Sequence, residues 1–431
     1  MTGFQNFKKN LFGGSTSAGR QFGMIFTLVA ITLLFQVLTD GLTLTSGNLI
    51  AVVSQYSYIL ILAIGMLMVI VAGHIDLSVG SVAAFVGIIV AKAMQLYDLP
   101  WPLAILLGLA CGAVIGAWQG FWVAYIGVPA FIVTLAGMLL FRGGNQLIGN
   151  ADTVPVPEGF RTIGAGYLPE VGPATGYNNL TLLLGLVACA ALVWREVRTR
   201  RTRVQMGAQP VPLWASGLRL AATVGVVVFA MLRFAGGRVG TSLPVSGIIL
   251  GLLVIAYSFY TRNAIGGRHV YAVGGNARAA ELSGVKLRRV NFLVMTNMSV
   301  LAALAGMIFV ARSAASGPQD GLGWELDAIA AVFIGGAAVS GGLGTINGSI
   351  VGGLVMALLN NGLQLMGVGV DLVQIIKGLV LLLAVALDVY NKGQGRFSVL
   401  ESITRPFRRQ EPPATVPAEP VREGDRASSA F

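Results

Sequence analysis

The stretch AGHIDLSVGS, residues 72–81, places His74, Asp76 and Ser78 between two apolar runs, Ile59–Val71 and Val82–Ala91. Gly73 can end the preceding helix in a left-handed cap. The Asp76 carboxylate can then accept the free amides that open the next helix, which would make it an N-cap at a helix break. The same residue also fits a second role. Carboxylates inside a membrane usually face cavities, and broken helices often line transport sites. The two roles are compatible. The turn has no Lys or Arg, so it does not resemble an ordinary cytoplasmic loop.

A second motif is AVGGNARAAELSGVKLRRVN, residues 272–291. Asn276 is placed to cap a short helix and Gly284 to stop it. Ala277, Ala280 and Gly284 recur at i, i+3 and i+7, a narrow small-residue face that another surface can approach closely. A helix lying on lipid would normally present large apolar residues, and this one offers mainly Leu282. Docking into a cytoplasmic partner is therefore the favoured reading over a membrane-surface helix. A third motif, residues 341–363, repeats glycine at 344, 348 and 352, which brings helix backbones together in membranes. Asn360 and Asn361 within it can bond across helices or contact a polar solute, and the cross-helix role is favoured.

Other chemistries are excluded. A phosphate-cradling loop of the G-x-x-x-x-G-K-[ST] kind needs Ser or Thr after a lysine, and no lysine here has one. ATP hydrolysis therefore belongs to another polypeptide. The two histidines, His74 and His269, lie in separate segments, and no cluster of His, Cys and carboxylates suggests a metal. Neither Gly274-Gly275 nor Gly341–Gly344 follows an expected strand, so a dinucleotide site fails on context. Cys111 and Cys189 sit far apart in apolar segments and read as buried thiols. No catalytic constellation or cofactor site is expected.

The elements that carry these motifs follow from composition. Of the 431 residues, 55% are hydrophobic and 11% charged, against about 25% charged in soluble domains. Long stretches lack any Asp, Glu, Lys or Arg, among them Gly41–Gly73, Leu99–Phe141 and Ala328–Val370. A spanning helix needs about 20 apolar residues, and continuous apolar runs without alternation exclude a barrel. The expected fold is an all-α polytopic membrane protein of about 10–12 transmembrane helices, some broken or re-entrant. We place helices at 21–39, 49–72, 79–96, 101–125, 129–148, 178–194, 214–233, 244–260, 290–311, 326–342, 346–366 and 371–390. The segment 326–342 is short and interrupted by glycine, and a re-entrant pair with the helix after it is the alternative to a full crossing.

With the N-terminus inside, the inner segments 1–21, 195–213, 261–290 and 391–431 hold 3, 5, 6 and 7 Lys plus Arg, 21 of the 29 present. The outer loop 149–177 holds only Arg161. This asymmetry matches the positive-inside rule and places both termini in the cytoplasm. The net charge of +11 thus reports topology and contact with anionic lipid rather than nucleic acid. Residues 1–20 read as a cytoplasmic N-terminal segment without a cleavable signal, 21–390 as the membrane domain, and 391–431 as a cytoplasmic tail of disordered composition.

The blocks VAGHIDLSVGSVAAF, ARAAELSGVKLRRVN, GGLGTINGSIVGGL and NNGLQLMGVGVDLVQIIKGLVLLLAVALDV resemble the permease subunits of bacterial sugar ABC importers. The resemblance runs from about Leu42 to Asn391, and the long middle with its basic loop is more similar to the xylose and multiple-sugar permeases than to the ribose ones. It implies a homodimer in the inner membrane, a cytoplasmic ATPase subunit and a periplasmic sugar-binding protein. It also implies that Asp76, Ser78 and Gly80 lie at the translocation core, with Asn360 and Asn361 as further candidates. Within the cytoplasmic connection 261–290, Gly275, Asn276, Ala277, Ala280, Glu281 and Gly284 would couple to the ATPase. His74-Ile75 departs from the small residues of that pattern. The rival class is an ion-coupled secondary transporter of a small polar solute, for which Asp76, Lys92, Lys377 and Asp388 are the titratable candidates.

Overall fold

The computed structural model describes residues 16–207 and 212–393. The expected tail, 391–431, lies outside the described residues apart from its first turn, and so does most of the N-terminal segment 1–20. The chain up to Asp388 packs as one unit; the second unit, Val389–Phe431, is described only for its helical first turn.

Fifteen α-helices form among the described residues: α1 Thr16–Leu38, α2 Ser46–Val71, α3 Val79–Leu96, α4 Trp101–Phe121, α5 Ala130–Gly149, α6 Glu158–Ala165, α7 Asn179–Gln205, α8 Leu213–Ala235, α9 Val245–Asn263, α10 Ile265–Gly275, α11 Ala277–Leu282, α12 Leu287–Ser313, α13 Trp324–Ile334, α14 Ile346–Leu365 and α15 Val370–Gly393. Nine of them are long and apolar enough to cross a membrane. The fold is all-α and polytopic, as expected. Each anticipated span coincides with a helix, with two differences in extent. α7 continues through the basic run 195–205, because nothing in it breaks a helix, so those arginines sit on helical turns rather than in a loop. The segment 326–342 yields α13 alone, 11 residues ending at Ile334. At 1.5 Å per residue that is about 17 Å, roughly half of the ~30 Å hydrocarbon core. It is a half-helix followed by an irregular return.

Helix starts are set by local chemistry. Pro100, Pro129, Pro157, Pro212 and Pro244 occupy N-cap positions, where a fixed φ and a missing N–H suit the entry to a helix. Thr45, Asn178 and Thr345 cap α2, α7 and α14 through their side chains.

α12 is the centre of the bundle. It packs along α4, α2 and α3, while α3 also lies against α5, and α14 against α13, α2 and α1. The sides of α2, α3, α12 and α14 are mostly buried; α7 and α8 pair with each other and expose most of theirs. Apolar burial does not drive helices together in lipid, so close packing must. α4 supplies it with Gly108, Gly112, Gly116 and Gly120, spaced by four. A Cβ on Gly112 would fall 2.6 Å from the Cβ of Ala303 on α12. The expected glycine series on α14 packs in the same way: a Cβ on Gly352 would fall 2.1 Å from the Ala331 carbonyl oxygen of α13. Gly344 precedes that helix and lies in the return loop.

The connections are partly ordered as well. Two-residue strands β1 (Val154–Pro155) and β2 (Ala315–Ser316) pair antiparallel, with Val154 opposite Ser316. This ties the 150–157 loop to the segment that leads from α12 into α13.

Candidate functional site: the α2–α3 break and the connection beneath it

α2 ends at Val71, and Gly73 turns the chain with φ +88°. The left-handed stop is as anticipated. Asp76, however, is not the N-cap of α3. That position belongs to Ser78, whose side chain makes no cap bond. Asp76 instead folds an Asx turn one step earlier: its Oδ1 accepts from the Ser78 N–H at 2.8 Å and from the Ser78 hydroxyl at 2.7 Å. A two-residue reach satisfies the amide of Ser78 and leaves the helix to begin at Val79.

The turn is held from the side by α4 and α12. Gln119 Nε2 donates to Ser78 Oγ at 2.7 Å, and Ser299 Oγ donates to Gln119 Oε1 at 3.3 Å. Ser299 lies near the middle of α12, so this network sits inside the bundle. Asp76 is 1% exposed, and its second oxygen, Oδ2, has no partner among the described residues. Gly80 brings the next contact. A Cβ there would fall 2.2 Å from the Gly321 carbonyl oxygen and 2.7 Å from Glu325 Oε2. His74, half-buried, lies beside Asn291 rather than in this network.

A second arrangement lies below the break. The Gly342 N–H donates to the Val71 carbonyl at 2.9 Å, and a Cβ on Gly274 would fall 1.6 Å from that same oxygen. The end of α2, the end of α10 and the α13–α14 return therefore meet at one point. Tyr271 on α10 adds a hydrogen bond from its hydroxyl to the Gly344 carbonyl, at 2.9 Å. Burial pushes that hydroxyl above its ordinary range, with Arg262 opposing the shift, so it remains a donor at neutral pH.

From this knot the chain continues past Gly275 into α11. Asn276 Oδ1 accepts from the Ala279 N–H at 2.9 Å, and Gly284 follows the helix with φ +86°. The cap and the stop match the sequence expectation. The common small face does not form as expected. Ala280 is buried, and its carbonyl accepts from the Val285 N–H, while Ala277, Glu281 and Gly284 are exposed. Six residues make under two turns, so the inward side of α11 is needed to seat it on the bundle. Its outward side carries one large apolar residue, Leu282, 84% exposed.

Asn360 and Asn361 lie elsewhere. Asn361 and Asn48 exchange two side-chain hydrogen bonds, at 2.8 and 2.9 Å. Asn48 opens α2 and is 23 residues from its end, about 35 Å along the helix. The structure therefore does not bring these asparagines to Asp76. The favoured cross-helix reading describes Asn361; Asn360 is buried with its Oδ1 unpartnered.

Comparison with known proteins accords with this architecture. Residues 48–385 match the family described as branched-chain amino acid transport system / permease component. The chain belongs to this family. Among the relatives of this permease is the xylose transport system permease protein XylH of Haemophilus influenzae, 38% identical over 86% of this chain and 96% of that protein. XylH of Escherichia coli K12 is 39% identical over 88% and 95%. The ribose import permease protein RbsC of the same organism is 34% identical over 81% and 87%. No solved structure matches. Permease components are not enzymes themselves, and the ATPase is a separate subunit.

Two features of the permease escaped sequence reasoning. Glu325 and Asp327 open α13, with Glu325 turned toward Gly80 and Asp327 paired with Lys377 of α15. The signal was present in GWELDAIAAVF, two carboxylates heading an apolar run. Gln119, inside the uncharged stretch Leu99–Phe141, gave no such warning.

Proposed function

We propose that this permease is the membrane subunit of an ATP-driven importer of xylose or a closely related monosaccharide. The observation that carries the reading is the near-complete overlap with xylose permeases, at higher identity than with the ribose ones. The sugar would be delivered by a periplasmic binding protein and move through a homodimeric assembly, while a cytoplasmic ATPase subunit supplies the energy. The permease would lie in the bacterial inner membrane with both termini in the cytoplasm. The lysine and arginine distribution supports that orientation.

The geometry supports a route by which ATPase movement reaches the sugar path. An ATPase would grip α11 at its exposed residues Ala277, Glu281 and Leu282. α11 follows α10 directly, and Gly274 of α10 touches the last carbonyl of α2. Asp76, Ser78 and Gly80 stand five to nine residues beyond that carbonyl. A displacement of α11 would therefore pull on the break itself, together with the α13–α14 return bonded at Gly342.

The reading is tested in cells lacking their own pentose import. Xylose uptake should return only when this permease is expressed with its ATPase and binding-protein partners. Uptake by the permease alone, abolished by collapsing the ion gradients, would favour the ion-coupled alternative. A single cysteine at Thr202 should label only from the cytoplasm and one at Glu158 only from outside. The reverse pattern would invert the orientation.

A further inference from the structure

Ten buried side-chain polar atoms lack a hydrogen-bond partner among the described residues, and five of them belong to α3, the turn before it or the elements packed against it. They are Asp76 Oδ2, Ser81 Oγ, Asn145 Oδ1, Ser316 Oγ and Glu325 Oε2. Their residues are exposed by only 1, 2, 1, 0 and 7%. Three of them mark the contact between α3 and the chain leading into α13. Glu325 faces Gly80; Ser316 lies opposite Gly87, 3.7 Å from where its Cβ would stand; and Asn145 of α5 donates to the Gly317 and Pro318 carbonyls at 3.2 and 3.4 Å.

Unpaired buried polar atoms cost stability, and native proteins keep few of them. Five gathered around one helix need a reason other than folding. With both carboxylates ionised, three are pure acceptors, two carboxylate oxygens and an amide oxygen, and two are hydroxyls. That inventory suits a ligand rich in O–H donors. It suits a cation poorly: the strongest charge acting on Glu325 is Arg142 of α5, ahead of the like charges of Asp327 and Asp76, and no group of three metal-ligating side chains occurs among the described residues.

We propose that this stripe is a sugar-hydroxyl station, at which Glu325 and Asp76 accept hydrogen bonds from the passing monosaccharide. The inference rests on the transport reading above and adds to it the contacting residues. In the conformation described here the station is shut, because Gly80 and Gly321 meet backbone to backbone. Opening requires the 317–323 turn to part from α3, which bares the orphan oxygens to the sugar. Glu325 would then set both affinity and preference, since an axial and an equatorial hydroxyl present their donors to it differently.

The test pairs transport with stability. Glu325→Gln and Glu325→Met are placed in the complete importer in proteoliposomes, and the thermal midpoint of each purified permease is measured. The station predicts an unchanged or higher midpoint with an apparent KM for xylose raised about tenfold or more, and altered competition by epimeric pentoses. A variant that folds poorly would overturn the proposal, because the unpartnered carboxylate would then be carrying structure. Unchanged KM and unchanged competition would overturn it too. Uptake that needs a cation gradient in the wild type and loses that need in Glu325→Gln would replace it with a cation site. A wild-type importer that moves no sugar at all would instead sink the transport reading.

Discussion

Gly274 presses so closely on Val71 that a Cβ at position 274 would fall 1.6 Å from the Val71 carbonyl oxygen. The contact joins the connection that carries α11 to the helix that ends at the Asp76 turn. Backbone touching backbone leaves no flexible side chain to give way. Gly274→Ala should force the two segments apart and cost about 1–3 kcal/mol, the usual penalty for overpacking. Thermal unfolding of the purified permease would read it, and sugar uptake should fall further than the protein level does. Wild-type stability would mean that the contact is slack.

Asp76 separates two roles by substitution. Asn at this position keeps an oxygen for the Ser78 amide and hydroxyl, so Asp76→Asn should insert and fold normally while uptake drops. Asp76→Ala loses both hydrogen bonds and should destabilise by about 1–3 kcal/mol, the usual cost of leaving buried groups unpaired. Full uptake in a well-expressed Asn variant would leave the residue with its turn alone.

The Asn48–Asn361 pair is open to a double-mutant cycle with Ala at each position. Hydrogen bonds between membrane helices couple by about 0.6 kcal/mol on average and about 1.7 at most. The doubly bonded amides should fall in the upper part of that range. A coupling near zero would show that the amides gain nothing from pairing.

Much of this architecture could be read from the residues, and the parts that could not have identifiable causes. Apolar length located every span, and Gly73, Asn276 and Gly284 marked the end of α2 and the start and stop of α11 because φ and capping are local properties. The extent of α13 was half legible: the glycine interruption of 326–342 was visible and a re-entrant alternative stood beside the full crossing, but the run stays apolar after Ile334, so hydropathy did not say where the helix stops. The burial of Ala280 is tertiary: i, i+3 and i+7 spacing puts residues on one face without saying whether that face looks inward. Asn361 appeared as a candidate for the path because sequence shows polarity in an apolar setting but not its partner, Asn48. Glu325 was passed over for the converse reason, its approach to Gly80 being a contact across 245 residues of chain.

The placement of Ala280 changes how the ATPase contact should be probed. Ala280→Trp would displace the bundle surface beneath α11, so lower membrane levels are expected along with lost uptake. Leu282→Asp alters only an exposed side chain. It should leave the permease level and thermal midpoint unchanged and abolish co-purification with the ATPase. Retained co-purification and uptake would remove α11 as the docking element.

The most direct measurement is uptake of radiolabelled xylose into proteoliposomes of defined content. The permease, its ATPase and its binding protein are reconstituted with ATP supplied on the ATPase side and no ion gradient. The account predicts concentrative uptake that stops when any one of the ATPase, the binding protein or ATP is left out. Xylose accumulation by the permease alone, driven by a proton or sodium gradient and indifferent to ATP, would contradict it.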